Sequence, residues 1–215
     1  MIQASLKNKT KSSFCMDTFE AIEKRRSIKS FDANHSISKQ EIDKILSAAV
    51  LSPTSYNIQN WRFVVVTDKQ TKAKLRAASW NQAQVTDASA VIVLCADLHA
   101  WKKDPARYWK NAPKATQDYL VPAIIEAYEG KDQFQRDEAI RSCGMAAQTI
   151  MLAAKAMDYD SCPMIGFVPE EVAKIINLPQ DHIIVMMVVV GKALKAANPR
   201  GGQLPLDEVA VNDHF

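Results

Sequence analysis

The chain has 215 residues, of which 47% are hydrophobic and 24% are charged, and its formal net charge is +3. This length and balance are typical of a single globular domain and argue against a disordered or fibrous chain. So small a net charge gives no reason to expect nucleic acid or a membrane surface as a partner. The longest apolar run, residues 183–190, is far shorter than the ~20 residues that a membrane-spanning helix needs.

The four cysteines are widely scattered, with no CxxC pair and no matching histidine spacing. This pattern argues against a metal site and against a disulfide framework, and it favours a cytoplasmic protein. Cys143 lies on an apolar helical face, where a thiol is usually inert. Residues 1–15 are polar and rich in lysine. We interpret them as a flexible N-terminal arm or as the product of a start upstream of Met16, in preference to an organelle-targeting segment.

Two capping patterns, Asp17 with Glu20 and Ser38 with Glu41, predict the first two helices, and the second helix must end near Pro53. Apolar periodicity then predicts alternating strands and helices. Strands are expected at 63–67, 90–96, near 160–167 and at 183–190, and helices at 68–78, 136–157 and 169–176. The predicted class is α+β, with a mixed β-sheet flanked by helices.

Residues 97–135 are the least regular part of the chain, mixing aromatic residues, prolines and charges. They are expected to form an insertion of short helical pieces, and such insertions are often lids on the substrate side. Tyr108, Trp109 and Tyr119 are candidates for an acceptor pocket, with ordinary packing as the equal alternative. The small side chains of the helix at 136–157 are compatible with a core helix, and also with one that faces a second subunit.

No GxGxxG, P-loop, HExxH or GxSxG pattern is present, so a nucleotide cofactor would have to bind in another way. Four polar segments remain to be explained: RRSIKSFD at 25–32, SPTSYNIQNW at 52–61, WNQAQVTDAS at 80–89, and CPMIGF at 162–167 followed by NPRGGQLPL at 198–206. Taken singly, each has a structural explanation, such as a solvated helix end or turn chemistry.

In this order the segments resemble the FMN-dependent nitroreductase family, over residues 16–215. The resemblance implies one nitroreductase domain, an intertwined homodimer, and two FMN sites built from both subunits. It implies an NAD(P)H oxidoreductase that reduces nitroaromatics, quinones or similar electron-poor small molecules by ping-pong hydride transfer, with NADH or NADPH as donor. The flavin carries this chemistry, so no catalytic side chain is required.

The resemblance also implies the site residues. Arg25 and Ser27 would bind the FMN phosphate, Arg26 would contribute through its backbone, and Lys29 would approach the N1/O2 edge of the flavin ring and tune it. The remaining implied contacts are Pro53, Thr54, Ser55, Asn57 and Gln59 from the other subunit, Asn81 and Gln84 at the pyrimidine ring, Met164, Ile165 and Gly166 over one face, and Arg200 at the phosphate.

Two positions depart from the family pattern. Gln203 stands directly before Leu204-Pro205, where many members have a basic residue, so either Arg200 or Gln203 would complete the phosphate site. Asn60 replaces the usual proline before Trp61. The alternatives are an enone or aldehyde reductase or a dehalogenase of the same fold, a flavin-binding protein without turnover, and an interaction module without flavin.

Overall fold

The computed structural model describes residues 16–215, so the predicted N-terminal arm lies outside the described residues. Asp17 caps the first helix by accepting the backbone N–H of Glu20, as its sequence predicts. Ser38 and Glu41 form a reciprocal capping box at the second. The helices are α1 Thr18–Lys24, α2 Lys39–Ala49, α3 Lys69–Ala77, α4 Gln84–Asp87, α5 Ala100–Lys103, α6 Lys114–Tyr128, α7 Asp132–Ala156, α8 Pro169–Ile175 and α9 Leu206–Val209.

Four strands form one sheet: β1 Trp61–Val66, β2 Ala90–Asp97, β3 Asp160–Met164 and β4 His182–Gly191. Their order is β1-β2-β4-β3, and all three neighbouring pairs are antiparallel. The α+β class is confirmed. Among the described residues, parallel pairing is limited to one isolated bridge, between Ser27 and Ser161. Segment 25–29 runs beside β3 there without forming a strand.

The sheet is buried on both faces. Alternate residues of β2 point to opposite sides. Ile92 and Leu94 pack with α2 and α7, whereas Val91 and Val93 pack with α3, α4 and α8. β2 is therefore buried along its whole length. Within the described part of the chain, no helix is long and apolar enough to cross a bilayer.

The insertion at 97–135 is more regular than its sequence predicts. It contains α5, a 3-10 helix at Pro105–Trp109, and the 15-residue α6, in which Pro122 lies inside the helix. The expectation of short pieces alone was therefore wrong, because proline masked the helical pattern. The insertion has its own small core around Ile124 and Tyr128, against which Tyr108 and Trp109 pack. Tyr119 remains 74% exposed.

The α2 capping box makes folding stability depend on pH. Hydrogen bonds from the Ser38 hydroxyl and backbone, and then from Tyr159, lower the pKa of Glu41 to about 2. Burial, and then the Glu41 carboxylate, raises the pKa of Tyr159 to about 12. Since the folded pKa of Glu41 lies below the ~4.3 of an unfolded chain, its contribution is complete above that pH and is lost as the pH falls towards 2.

We expect the free energy of unfolding of Glu41→Gln to fall less on acidification below about pH 5 than that of the unaltered protein. Urea unfolding at a series of pH values measures this. The control on the same helix is Asp43→Asn, whose carboxylate forms an exposed ion pair with Lys39. Equal acid sensitivity of Glu41→Gln and the unaltered chain would contradict the assignment.

Candidate functional site

A basic cavity of about 390 Å³ lies where segment 25–30 meets the C-terminal segment 195–203. Five cationic side chains and no carboxylate line it. The cations are Arg25, Arg26, Lys29, Lys195 and Arg200. Ser27 and Gln203 also line this cavity. It therefore brings together every residue that the sequence assigned to the FMN phosphate, and it adds Lys195, which the sequence analysis missed.

The three arginines differ in what their side chains bind. Arg26 donates to the backbone carbonyl of Asn198. Arg200 donates from Nη2 to the carbonyls of Glu23, at 3.0 Å, and Arg25, at 3.3 Å, and so caps the end of α1. Among the described residues, the guanidinium of Arg25 has no hydrogen-bond or ion-pair partner, although it is half-buried and faces the same cavity. Of the three arginines, Arg25 is thus the one most available to an anionic ligand.

Segment 25–29 is fixed against β3. The backbone N–H of Ile28 donates to the Ser161 carbonyl at 3.0 Å, and Ile28 itself is buried. Lys29 is exposed on the cavity side and lies beside the buried thiol of Cys162, whose pKa is raised by burial and lowered in part by Lys29. The bridge to β3 therefore holds the cationic segment close to the strand that leads into Met164 and Gly166.

The residues after β3 contact an amide loop, residues 80–84. The Gln82 side chain donates to the Gly166 carbonyl at 2.9 Å, and a Cβ at position 166 would lie 2.9 Å from the ring of Trp80. Trp80 and Asn81 both have positive φ angles, of 53° and 56°. Non-glycine residues rarely adopt this backbone, and such strain is frequent at functional sites.

The structure places two of the predicted site residues, Gln84 and Met164, with their side chains in the protein interior. Gln84 is buried, and its amide donates to the Gln82 side chain at 2.8 Å, so it holds Gln82 in place and does not face the site. The side chain of Met164 is also buried, whereas Ile165 is 79% exposed. Gln82 was missed because nothing distinguishes it from the neighbouring amides in the sequence; its contact with Gly166 appears only in the fold.

A second strained segment, the proline loop at residues 53–59, precedes β1. Tyr56, Asn57 and Gln59 have positive φ angles of 50°, 56° and 51°. The Thr54 hydroxyl accepts the Gln59 backbone N–H at 3.0 Å. Two bonds join this loop to the insertion: the Asn57 amide donates to the Tyr108 carbonyl at 2.8 Å, and the Trp109 indole donates to the Tyr56 carbonyl at 3.1 Å.

The proline loop and the basic cavity lie at opposite edges of the sheet. The loop leads into β1 and the cavity adjoins β3, which are the two outer strands. Three strand spacings separate them, about 14 Å. The structure therefore brings the assigned residues of segments 25–29 and 200–203 into one cavity. Segment 164–166 lies at the end of β3, the strand that segment 25–29 bridges. Pro53, Thr54, Ser55, Asn57 and Gln59 do not come to the same place within one chain.

The described cysteines are unsuited to nucleophilic chemistry. Cys95, Cys143 and Cys162 are buried free thiols. Burial raises the pKa of Cys95 to about 11 and that of Cys143 to about 12, so neither forms a thiolate near neutral pH. These values support the interpretation of Cys143 as a core residue.

The sequence model of the Nitroreductase family matches residues 22–192. The chain belongs to the nitroreductase family. It is 51% identical to protein DrgA of Synechocystis over 90% of this chain and 95% of that protein. It is 29% identical to the oxygen-insensitive NADPH nitroreductase of Helicobacter pylori over 88% and 94% of the two chains. These matches confirm the family that the sequence motifs indicated.

Among solved structures, a nitroreductase of Exiguobacterium sibiricum in complex with FMN superposes with a TM-score of 0.85 and 34% identity, over 91% of this chain and 96% of that one. The nitroreductase fold is therefore confirmed, and the chain is an oxidoreductase by family.

Proposed function

We propose that this nitroreductase-family chain holds FMN with its phosphate in the basic cavity and transfers hydride from NADH or NADPH to an electron-poor small molecule. The observation that carries the proposal is the position of Arg25, whose uncommitted guanidinium lines a cationic cavity without a carboxylate. Nitroaromatics and quinones are the acceptor class that we expect.

The residues present fit an FMN phosphate. The cavity is lined by five cations without a carboxylate, and charge-assisted hydrogen bonds contribute ~1.5–3 kcal/mol each. Two or three such bonds supply much of the ~8 kcal/mol needed for micromolar affinity. Arg25 and Ser27 would hold the phosphate, and Arg200 would approach it with the nitrogens that α1 does not occupy. Gln203 adds a polar group and no charge.

When bound, FMN supplies the hydride chemistry, accepting hydride from the nicotinamide and passing electrons to the acceptor. The chain's own residues would bind the cofactor and orient its ring. Lys29 would place a positive charge near the edge of the ring that becomes anionic on reduction, although its exposure to solvent screens the effect. The absence of a side chain at Gly166 makes room for the Trp80 ring and the Gln82 amide, and Asn81 would offer an amide at the rim of the flavin.

We propose that the site is completed by a second copy of the chain. The proline loop lies at the far edge of the sheet from the basic cavity, so a single chain supplies only part of the expected site. In a homodimer, Pro53, Thr54, Ser55, Asn57 and Gln59 of one subunit would line the flavin whose phosphate the other subunit holds. One shared site for donor and acceptor predicts ping-pong kinetics.

The surface supports the same proposal. α1 and α2 both pack against α7. Apolar side chains are exposed on α1 (Phe19, 83%), shortly after α2 (Leu51, 83%) and on α7 (Met145, 40%). Residues 198–215 are exposed throughout, including the side chains Leu204, Leu206, Val209, Val211 and Phe215. Exposed apolar side chains and an apolar tail of this kind are found in proteins that associate with another chain, and they fit an intertwined dimer. We place the enzyme in the cytoplasm because NADH and NADPH are intracellular donors.

The absorbance spectrum of the purified protein, before and after anaerobic addition of NADH or NADPH, tests the function. We expect bound flavin that bleaches promptly with at least one donor. A yellow protein that neither donor bleaches would favour a flavin-binding protein without turnover. A colourless protein that takes up no added FMN would contradict the proposal.

A further inference from the structure

A second cation-lined cavity, of about 460 Å³, lies between the start of β1 and the insertion. Its lining comprises Gln59, Trp61, Arg62, Arg107, Tyr108 and Lys110, with three cations and no carboxylate. It shares no residue with the basic cavity that we assign to the FMN phosphate. An anion bound in this second cavity would therefore be distinct from the FMN phosphate.

The charge of Arg62 is already balanced within the protein. Its guanidinium donates to the carboxylate of Asp97 at 3.2 Å, and Lys103 lies 2.7 Å from the carboxylates of both Asp97 and Asp181. Arg62 and Lys103 thus pair with the two carboxylates, so the charges of Asp97 and Asp181 are already balanced. Lys103, followed by His182, lowers the pKa of Asp181 and keeps this carboxylate ionised.

Arg107 and Lys110 have no such balance. Neither forms an ion pair with a described carboxylate within 4.0 Å, and both are exposed on the insertion. The guanidinium of Arg107 only contacts the ring of Tyr108, at 5.9 Å. The cavity therefore holds two unpaired positive charges on one short segment.

Trp61 carries an unsatisfied polar group at the wall of this cavity. It lines the same cavity and is 6% exposed, and its buried indole N–H has no hydrogen-bond acceptor among the described residues. A buried donor without an acceptor costs ~1–3 kcal/mol.

The cavity also adjoins the proline loop, which we propose lines the flavin. Gln59 belongs to both, and the bonds from Asn57 and Trp109 hold the proline loop against the 3-10 helix that carries Arg107. A molecule that reacts at the flavin and extends past the proline loop would bring its substituent next to Arg107 and Lys110.

We propose that this second cavity binds the anionic substituent of a molecule that reacts at the flavin, through Arg107 and Lys110. The inference rests on the proposed function. The anion is either a carboxylate on the acceptor or the 2′-phosphate of NADPH, and the experiment separates these two sources.

The test compares the unaltered enzyme with Arg107→Gln/Lys110→Gln in two arms. The first measures the ratio of kcat/KM for 4-nitrobenzoate to that for the neutral 4-nitrobenzamide, with NADH as donor. The second measures the ratio for NADPH to NADH, with 4-nitrobenzamide as acceptor. We expect one ratio to fall at least about tenfold, the loss expected for two charge-assisted bonds to a partly exposed anion. The arm that changes identifies the source.

The matched control is Lys102→Gln/Lys114→Gln, which removes two charges from the same insertion outside the cavity. Both ratios should be unchanged in this variant. Binding without turnover gives a separate readout, the dissociation constants of 4-nitrobenzoate and of adenosine 2′-monophosphate from the absorbance of the oxidised flavin. The constant of the compound that carries the bound anion should rise, and only in the cavity variant.

Unchanged ratios and dissociation constants in a cavity variant that still turns over would overturn this inference and leave the proposed function intact. Unchanged ratios combined with an altered oligomeric state would also overturn it, and would place the cavity in the subunit interface. If no donor reduced the unaltered protein, the proposed function would fail, and the dissociation constants would still decide whether the cavity binds anions.

Discussion

Replacing Arg25 with glutamine should weaken FMN binding by roughly 10- to 150-fold and leave riboflavin binding unchanged. Riboflavin lacks the phosphate, so it reports on the ring contacts alone. Isothermal titration of the apoprotein with each compound measures the two affinities. The difference between them isolates the phosphate.

The size of this effect follows from the absence of a protein partner for the Arg25 guanidinium. Its guanidinium lines the basic cavity and has no partner within the described chain, so its hydrogen-bonding capacity is available to a dianion. The expected loss is that of one charge-assisted hydrogen bond, ~1.5–3 kcal/mol.

Arg26→Gln is the matched control, because it removes the same charge from the next position. The Arg26 guanidinium donates to the Asn198 carbonyl and is therefore partly committed to the protein. We expect a smaller loss of FMN affinity than in Arg25→Gln. Equal losses in the two variants would show that the cavity acts by total charge, and a loss of riboflavin affinity in Arg25→Gln would show a structural role.

The regular elements were predictable because local signals and burial agree. The Ser38–Glu41 capping box begins α2 as its spacing requires, and the apolar period of α7 matches the face that it buries. The β2 and β4 strands are near-continuous apolar runs because helices cover both faces of the sheet. In these elements nothing from distant parts of the chain had to be known.

The site was predictable only in part. Segment 25–29 and Arg200 meet in the basic cavity, as the family resemblance implied. The roles of individual residues within a cluster of similar residues could not be predicted. Gln82 and not Gln84 contacts Gly166, and Lys195 from the C-terminal segment lines the cavity. Such contacts depend on which side chain the backbone conformation directs towards the site, and the residue types alone do not determine that direction.

Replacing Leu51 with glutamate should convert the protein from dimer to monomer and lower its FMN affinity by more than about 100-fold. Leu51 is 83% exposed in the single chain, so the substitution removes little packing within a subunit. In the proposed dimer the carboxylate would be buried opposite apolar groups, and an unpaired buried charge costs several kcal/mol, at 1.4 kcal/mol per factor of ten.

Light scattering and FMN titration of one sample measure both effects. Phe19→Glu, on α1, which packs against α7 as α2 does, should behave in the same way, whereas Tyr119→Glu, on α6 and 74% exposed, should remain dimeric. Since some dimers have no stable monomer, the milder Leu51→Ser provides a folded intermediate in which the dimer dissociates at a higher protein concentration than in the unaltered chain. A Leu51→Glu protein that stayed dimeric and retained FMN would place the interface elsewhere. A folded monomer that retained full FMN affinity would mean that one chain completes the site, and the proline loop would then have no part in it.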